Sequence, residues 1–214
     1  MKDLLIVTAD NSIKAALCGF FEREGWWNAV GCGRFSIDPQ NDIKAAQGLN
    51  DPGLYRRAGD LLQPLAPEYR HVLVILDGEW EGAPSDPHAI RDAVENHIES
   101  AGWAKGDGCG IVIVPELEIW LWADSPHLAS LLNFPDFASL RQHVQTNSDA
   151  WPVGSAKPAD PEEALKVVCR NAPVTPKNPS LFRHVCRAVG TKHCADPAVA
   201  RLFDALRTWF PPAR

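Results

Sequence analysis

Val72-Leu73-Val74-Ile75-Leu76-Asp77-Gly78-Glu79 is the stretch that decides the fold. Its apolar run is rich in β-branched residues and has no polar face, so it reads as a central strand buried on both sides. Asp77, Gly78 and Glu79 follow at once, which puts two carboxylates at the strand's carboxyl end. Downstream, Ile111-Val112-Ile113-Val114 repeats the buried-strand signature, and Pro115-Glu116-Leu117-Glu118 reads as the start of a helix with two carboxylates in its first turn. Upstream, Leu4-Leu5-Ile6-Val7-Thr8 is another apolar run of strand length. Asp10-Asn11-Ser12 then supplies capping residues before the helical spacing of Ile13, Ala16, Leu17, Phe20 and Phe21. Between these runs the pattern predicts an irregular strand over 26–37, a polar stretch over 38–51, a helix over about 52–65 with Pro52 in its first turn, and a helix over about 86–101. Strands alternating with helices of this length predict βαβ units: an α/β fold with a mostly parallel sheet covered on both faces.

After Asp124 the strand signals stop. Residues 126–148, 161–171, 179–190 and 195–210 read as helices, with 151–158 as a hinge or linker. The expected organisation is an α/β core over 1–124 and a helical part over 125–214 packed on it. The 214 residues, 45% hydrophobic and 22% charged, are enough to bury a substantial core, which excludes a disordered tail or a disulfide-stapled miniprotein. The six cysteines include no CxxC pair and read as reduced thiols. With no long apolar run and no signal-peptide pattern after Met1, the expectation is a soluble cytoplasmic protein without a membrane partner. The net charge of −6 is uneven: residues 1–150 sum to −11 and residues 151–214 to +5. An acidic part suited to cations and a basic part suited to phosphates is one reading, and a solvated surface is the other.

Ligands of open α/β sheets bind outside the carboxyl ends of the strands. Three acidic groups fall there: Asp10, then Asp77 with Glu79, then Glu116 with Glu118. Hard cations such as Mg²⁺ or Mn²⁺ take oxygen ligands, and a cation held by one or two carboxylates can orient phosphates for phosphoryl transfer. Asp77, Glu79 and Glu116 are therefore the candidate metal ligands, and Asp77, Glu79, Glu118 and Asp10 the candidate catalytic residues. The plainer alternative is that Glu116 and Glu118 merely favour a helix N-terminus and Asp77-Gly78 is merely a turn.

Taken together, the strand with Asp10-Asn11-Ser12, the Ile75-Leu76-Asp77-Gly78-Glu79 strand end and the segment Pro115-Glu116-Leu117-Glu118-Ile119-Trp120-Leu121-Trp122-Ala123-Asp124 resemble the Toprim-like domains of the OLD nuclease group. They are closer to a family of small Toprim-like proteins found in bacterial defence loci. Lys157-Pro158-Ala159-Asp160-Pro161-Glu162-Glu163-Ala164-Leu165 and Asp196-Pro197-Ala198-Val199-Ala200-Arg201-Leu202-Phe203 extend the similarity into the tail. The resemblance implies a Toprim-like sheet, an antiviral-defence role alongside other defence proteins, and Mg²⁺ at Asp77 and Glu79 for cleavage of nucleic-acid phosphodiesters. It also marks a departure: Toprim enzymes carry a glutamate after the first strand, where this chain has Ala9, with Asp10 one residue further on. That shift turns the side chain to the other face. A Toprim-like protein that has lost catalysis and serves as a binding module of a defence complex is the competing implication.

Other features are weaker. Cys169, His184, Cys186, His193 and Cys194 contain zinc-ligand types without a tight knuckle, and buried free cysteines are the commoner outcome. Trp26, Trp27, Trp120 and Trp122 invite base stacking but suit core and interface packing better. Lys157, Lys166, Arg170, Lys177, Arg183 and Arg187 outline a basic face that would meet DNA or RNA, or only water. No Walker-type phosphate loop is present. A receiver-like domain with Asp77 as phosphoacceptor lacks the expected lysine after Ile111–Val114.

Overall fold

The structure, a computed structural model, describes residues 1–170, 178–191, 194 and 196–212. Four strands, β1 (Lys2–Thr8), β2 (Ile43–Ala45), β3 (Tyr69–Asp77) and β4 (Gly108–Ile113), form one sheet in the order β2-β1-β3-β4, with every pairing parallel. The apolar runs read from the sequence are its two central strands and one edge. Leu4, Leu5, Ile6 and Val72 to Leu76 are all fully buried, as strands covered on both faces must be. The α/β class is thus the observed one.

Helix α1 (Asn11–Phe21) connects β1 to β2, α3 (Asp51–Leu62) connects β2 to β3, and α4 (Pro87–Ser100) connects β3 to β4, with the short α2 (Trp26–Val30) lying after α1. Helices α3 and α4 pack together on one face of the sheet. Beyond β4 a cis Val114–Pro115 peptide leads into a single 3-10 turn, Leu117–Trp120. Helices α5 (Pro126–Leu131), α6 (Phe137–Asn147), α7 (Pro161–Cys169), α8 (Pro179–Ala188) and α9 (Pro197–Trp209) complete the chain. Helix α8 packs against α1, and α9 against β4.

Several sequence expectations need correction. The irregular strand over 26–37 is instead α2, held between left-handed Gly25 and Gly31. The strand that pairs with β1 is Ile43–Ala45, inside the stretch read as polar, and its three residues are too few for alternation to show. The helix expected from Pro115 is only the 3-10 turn. The long helix over 126–148 is two, broken where Asn133 takes a left-handed backbone (φ 61°) and Pro135 follows. The expected linker over 151–158 is anchored at its start: Trp151 is buried edge-to-face against Trp122 and Phe137. Residues 171 and 195, at the ends of two predicted helices, lie outside the described residues.

The charge asymmetry has a structural use. Arg183 of α8 pairs with Glu22, and Arg201 of α9 pairs with Glu95 at 2.6 Å and donates to the Gly110 carbonyl at 3.0 Å. Cations of the helical part thus meet carboxylates of the sheet domain. No helix among the described residues is long and apolar enough to cross a membrane.

Candidate functional site

The strand order fixes where a ligand crevice lies. The connection from β1 runs to β2 on one side and that from β3 runs to β4 on the other, so the two diverge at the carboxyl ends of β1 and β3. This divergence is the topological switch point at which open α/β sheets bind ligands. Asp77 ends β3 there, and Asp10 follows β1.

Asp77 is the focus of the site. Its Oδ1 is buried and has no hydrogen-bond partner. Burial pushes its carboxyl up to about 9, and the neighbouring charges of Asp51, Glu118, Asp10 and Glu116 push in the same direction. A proton on this carboxyl, or a cation beside it, relieves that repulsion. Asp51 was not among the residues singled out in the sequence. It sits in the first turn of α3, and its Oδ1 accepts the Asp77 backbone N–H at 2.7 Å. Burial raises the Asp51 carboxyl as well, with Asp10 adding to the effect. Asp51-Pro52 reads locally as an ordinary helix start, so only the path of β2 and α3 back to β3 reveals its place in the cluster.

The other candidates have more divided roles. Asp10 caps α1, accepting from the Ser12 and Ile13 N–H groups at 2.8 Å each, so its carboxylate serves the helix while its charge reaches Asp77. Ala9 is buried and lines the groove beside Asp10. Glu116 Oε1 accepts the Glu162 N–H at 3.0 Å and so ties α7 to the sheet edge. Glu118 is 5% exposed within the 3-10 turn. Glu79 stands apart: it is exposed, and the leading charges that raise Asp77 are those of Asp51, Glu118, Asp10 and Glu116. Gly78 allows this tight strand end, because a Cβ there would sit 3.0 Å from the Ile113 carbonyl oxygen.

Among the described residues, no three His, Cys, Asp or Glu side chains stand close enough to cage a metal ion. Of the zinc candidates, Cys169 is buried, His184 is exposed, Cys186 and Cys194 line one groove, and His193 lies outside the described residues. Burial pushes the Cys186 thiol up to about 12, which leaves it protonated and unreactive. Trp120 and Trp122 both make hydrogen bonds within the fold. Trp122 is buried with its Nε1 donating to the Pro161 carbonyl at 3.2 Å, and Trp120 Nε1 donates to Asp196, the cap of α9, at 3.2 Å. Of the anticipated basic face, Lys157 donates to the Ile119 carbonyl, while Lys166, Arg170 and Arg183 pair with Glu162, Glu163 and Glu22. Arg187 is exposed, and Lys177 lies outside the described residues.

Comparison with known proteins found no matching family model, no matching curated protein and no matching solved structure.

Proposed function

We propose that the carboxylates around Asp77 form a divalent-cation site for hydrolysis of nucleic-acid phosphodiesters, in a Toprim-like component of bacterial antiviral defence. The observation that carries this reading is the buried, unpartnered Asp77 Oδ1 among four further acidic side chains at the switch point. Such an oxygen is costly to bury unless something cationic or protic meets it. The donor set is all carboxylate, which suits Mg²⁺ or Mn²⁺ rather than zinc. Mg²⁺ is usually held by one or two carboxylates, its own waters and the phosphates of the substrate. That habit accords with a site lacking a preformed three-residue cage. Asp77 is the residue on which the cation site centres, and Asp51 orients it by accepting its backbone N–H. Bound there, the cation would polarise a phosphoryl oxygen and lower the pKa of a water. The resemblance of the strand ends to Toprim-like domains supports the same chemistry.

A second reading, a non-catalytic binding module, is favoured by buried Ala9 where Toprim enzymes carry glutamate, and by Asp10 being occupied as a helix cap. Incubating a labelled oligonucleotide with Mn²⁺ and the wild type or Asp77→Asn separates the two. The catalytic reading predicts metal-dependent cleavage that falls at least about 100-fold in the variant. Metal binding without cleavage supports the binding module. Cleavage that persists undiminished in the variant contradicts the assignment of the site.

A further inference from the structure

A groove of about 840 Å³ opens at the carboxyl ends of β1 and β2 and shares Asp10 with the site just described. Lys14 on α1 and Lys44 on β2 line it, with the amides of Asn11, Asn41 and Gln47 beside them. Neither lysine is in an ion pair among the described residues, whereas most cations of the helical part are spent on internal contacts. An acidic protein that keeps two unpaired lysines at the mouth of its carboxylate site has a use for positive charge there. We infer that this groove is the track of a nucleic-acid strand, with Lys14 and Lys44 binding its phosphates and leading the backbone past Asp10 toward Asp77. The inference rests on the proposed phosphodiester chemistry and deepens it by naming where the strand enters. It also moves the nucleic-acid contact from the basic helical part to the β2 edge of the sheet.

The test is fluorescence anisotropy of a labelled oligothymidylate in EDTA across a range of NaCl concentrations. Metal is absent, so failure of the cation site does not affect the result. The wild type binds more weakly as salt rises, since each phosphate contact releases counterions. The Lys14→Gln/Lys44→Gln variant loses at least tenfold in affinity at low salt. Its plot of log affinity against log salt is shallower by about 1.4, or about 0.7 per lysine on a single strand. Lys105→Gln, in the turn before β4 at the opposite end of the sheet, changes neither quantity. Mn²⁺ binding to the double lysine variant, measured separately, matches the wild type. The inference is overturned if the wild type does not bind the oligonucleotide, if the double variant matches the wild type, or if polyglutamate competes as well as the oligonucleotide.

Discussion

At neutral pH the Asp77 carboxyl keeps its proton in the folded chain, because burial and four neighbouring carboxylates raise it to about 9. In the unfolded chain the same group loses its proton near 4. Between those values the folded state binds one proton that the unfolded state does not, so this group makes stability fall as pH rises. The slope from one such proton is about 1.4 kcal/mol per pH unit, and Asp51, also raised by burial, acts with the same sign. Asp77→Asn should flatten this dependence and stabilise the protein at pH 8 by about 2 kcal/mol or more, read from urea unfolding at pH 5 to 8. Parallel pH profiles for variant and wild type would contradict it. Asp77 is legible in the sequence because a buried strand ends on it. Asp51 is not, because its meeting with Asp77 spans a whole βα unit that local pattern does not encode.

Among the elements, the pairing of α1 with α8 depends on a single missing side chain. Gly19 is buried, and a Cβ there would collide with the backbone carbonyl of Arg183. In an exposed helix Gly→Ala gains about 1 kcal/mol from propensity. Here the clash is with backbone, which cannot rotate away, so Gly19→Ala should destabilise by about 1–3 kcal/mol. Thermal unfolding would then show a Tm lower by several degrees; a higher Tm would mean that α8 does not lie where the structure has it. The same contrast explains what the sequence discloses about elements. The runs in β1, β3 and β4 announce themselves because both faces are buried, and α4 carries Ile90, Val94 and Ile98 on one buried stripe. Strand β2 is three residues long, and the break between α5 and α6 rests on one left-handed Asn133 before Pro135. Such features depend on tertiary partners more than on periodicity.

For the whole molecule, strand order does more than any motif to define the site. Placing β2 and β4 on opposite sides of the β1–β3 pair makes the crevice into which Asp10 and Asp77 fall. That order is absent from hydrophobic pattern, so the sequence indicates a carboxyl-edge site without saying which strand ends face each other. The split in net charge has a similar history. Read linearly it leaves a basic tail that would meet phosphates or only water, and in the fold some of its cations meet carboxylates of the sheet part, Arg183 with Glu22 and Arg201 with Glu95. At the switch point the acidic side chains gather around Asp77, whose buried Oδ1 has no hydrogen-bond partner and whose carboxyl a proton or a cation would neutralise. Titration calorimetry with Mn²⁺ at pH 8, comparing the wild type with Asp77→Asn, tests that claim most directly. The account predicts saturable binding with proton release in the wild type and at least a tenfold loss of affinity in the variant. No binding in the wild type, or equal binding in both proteins, would contradict it.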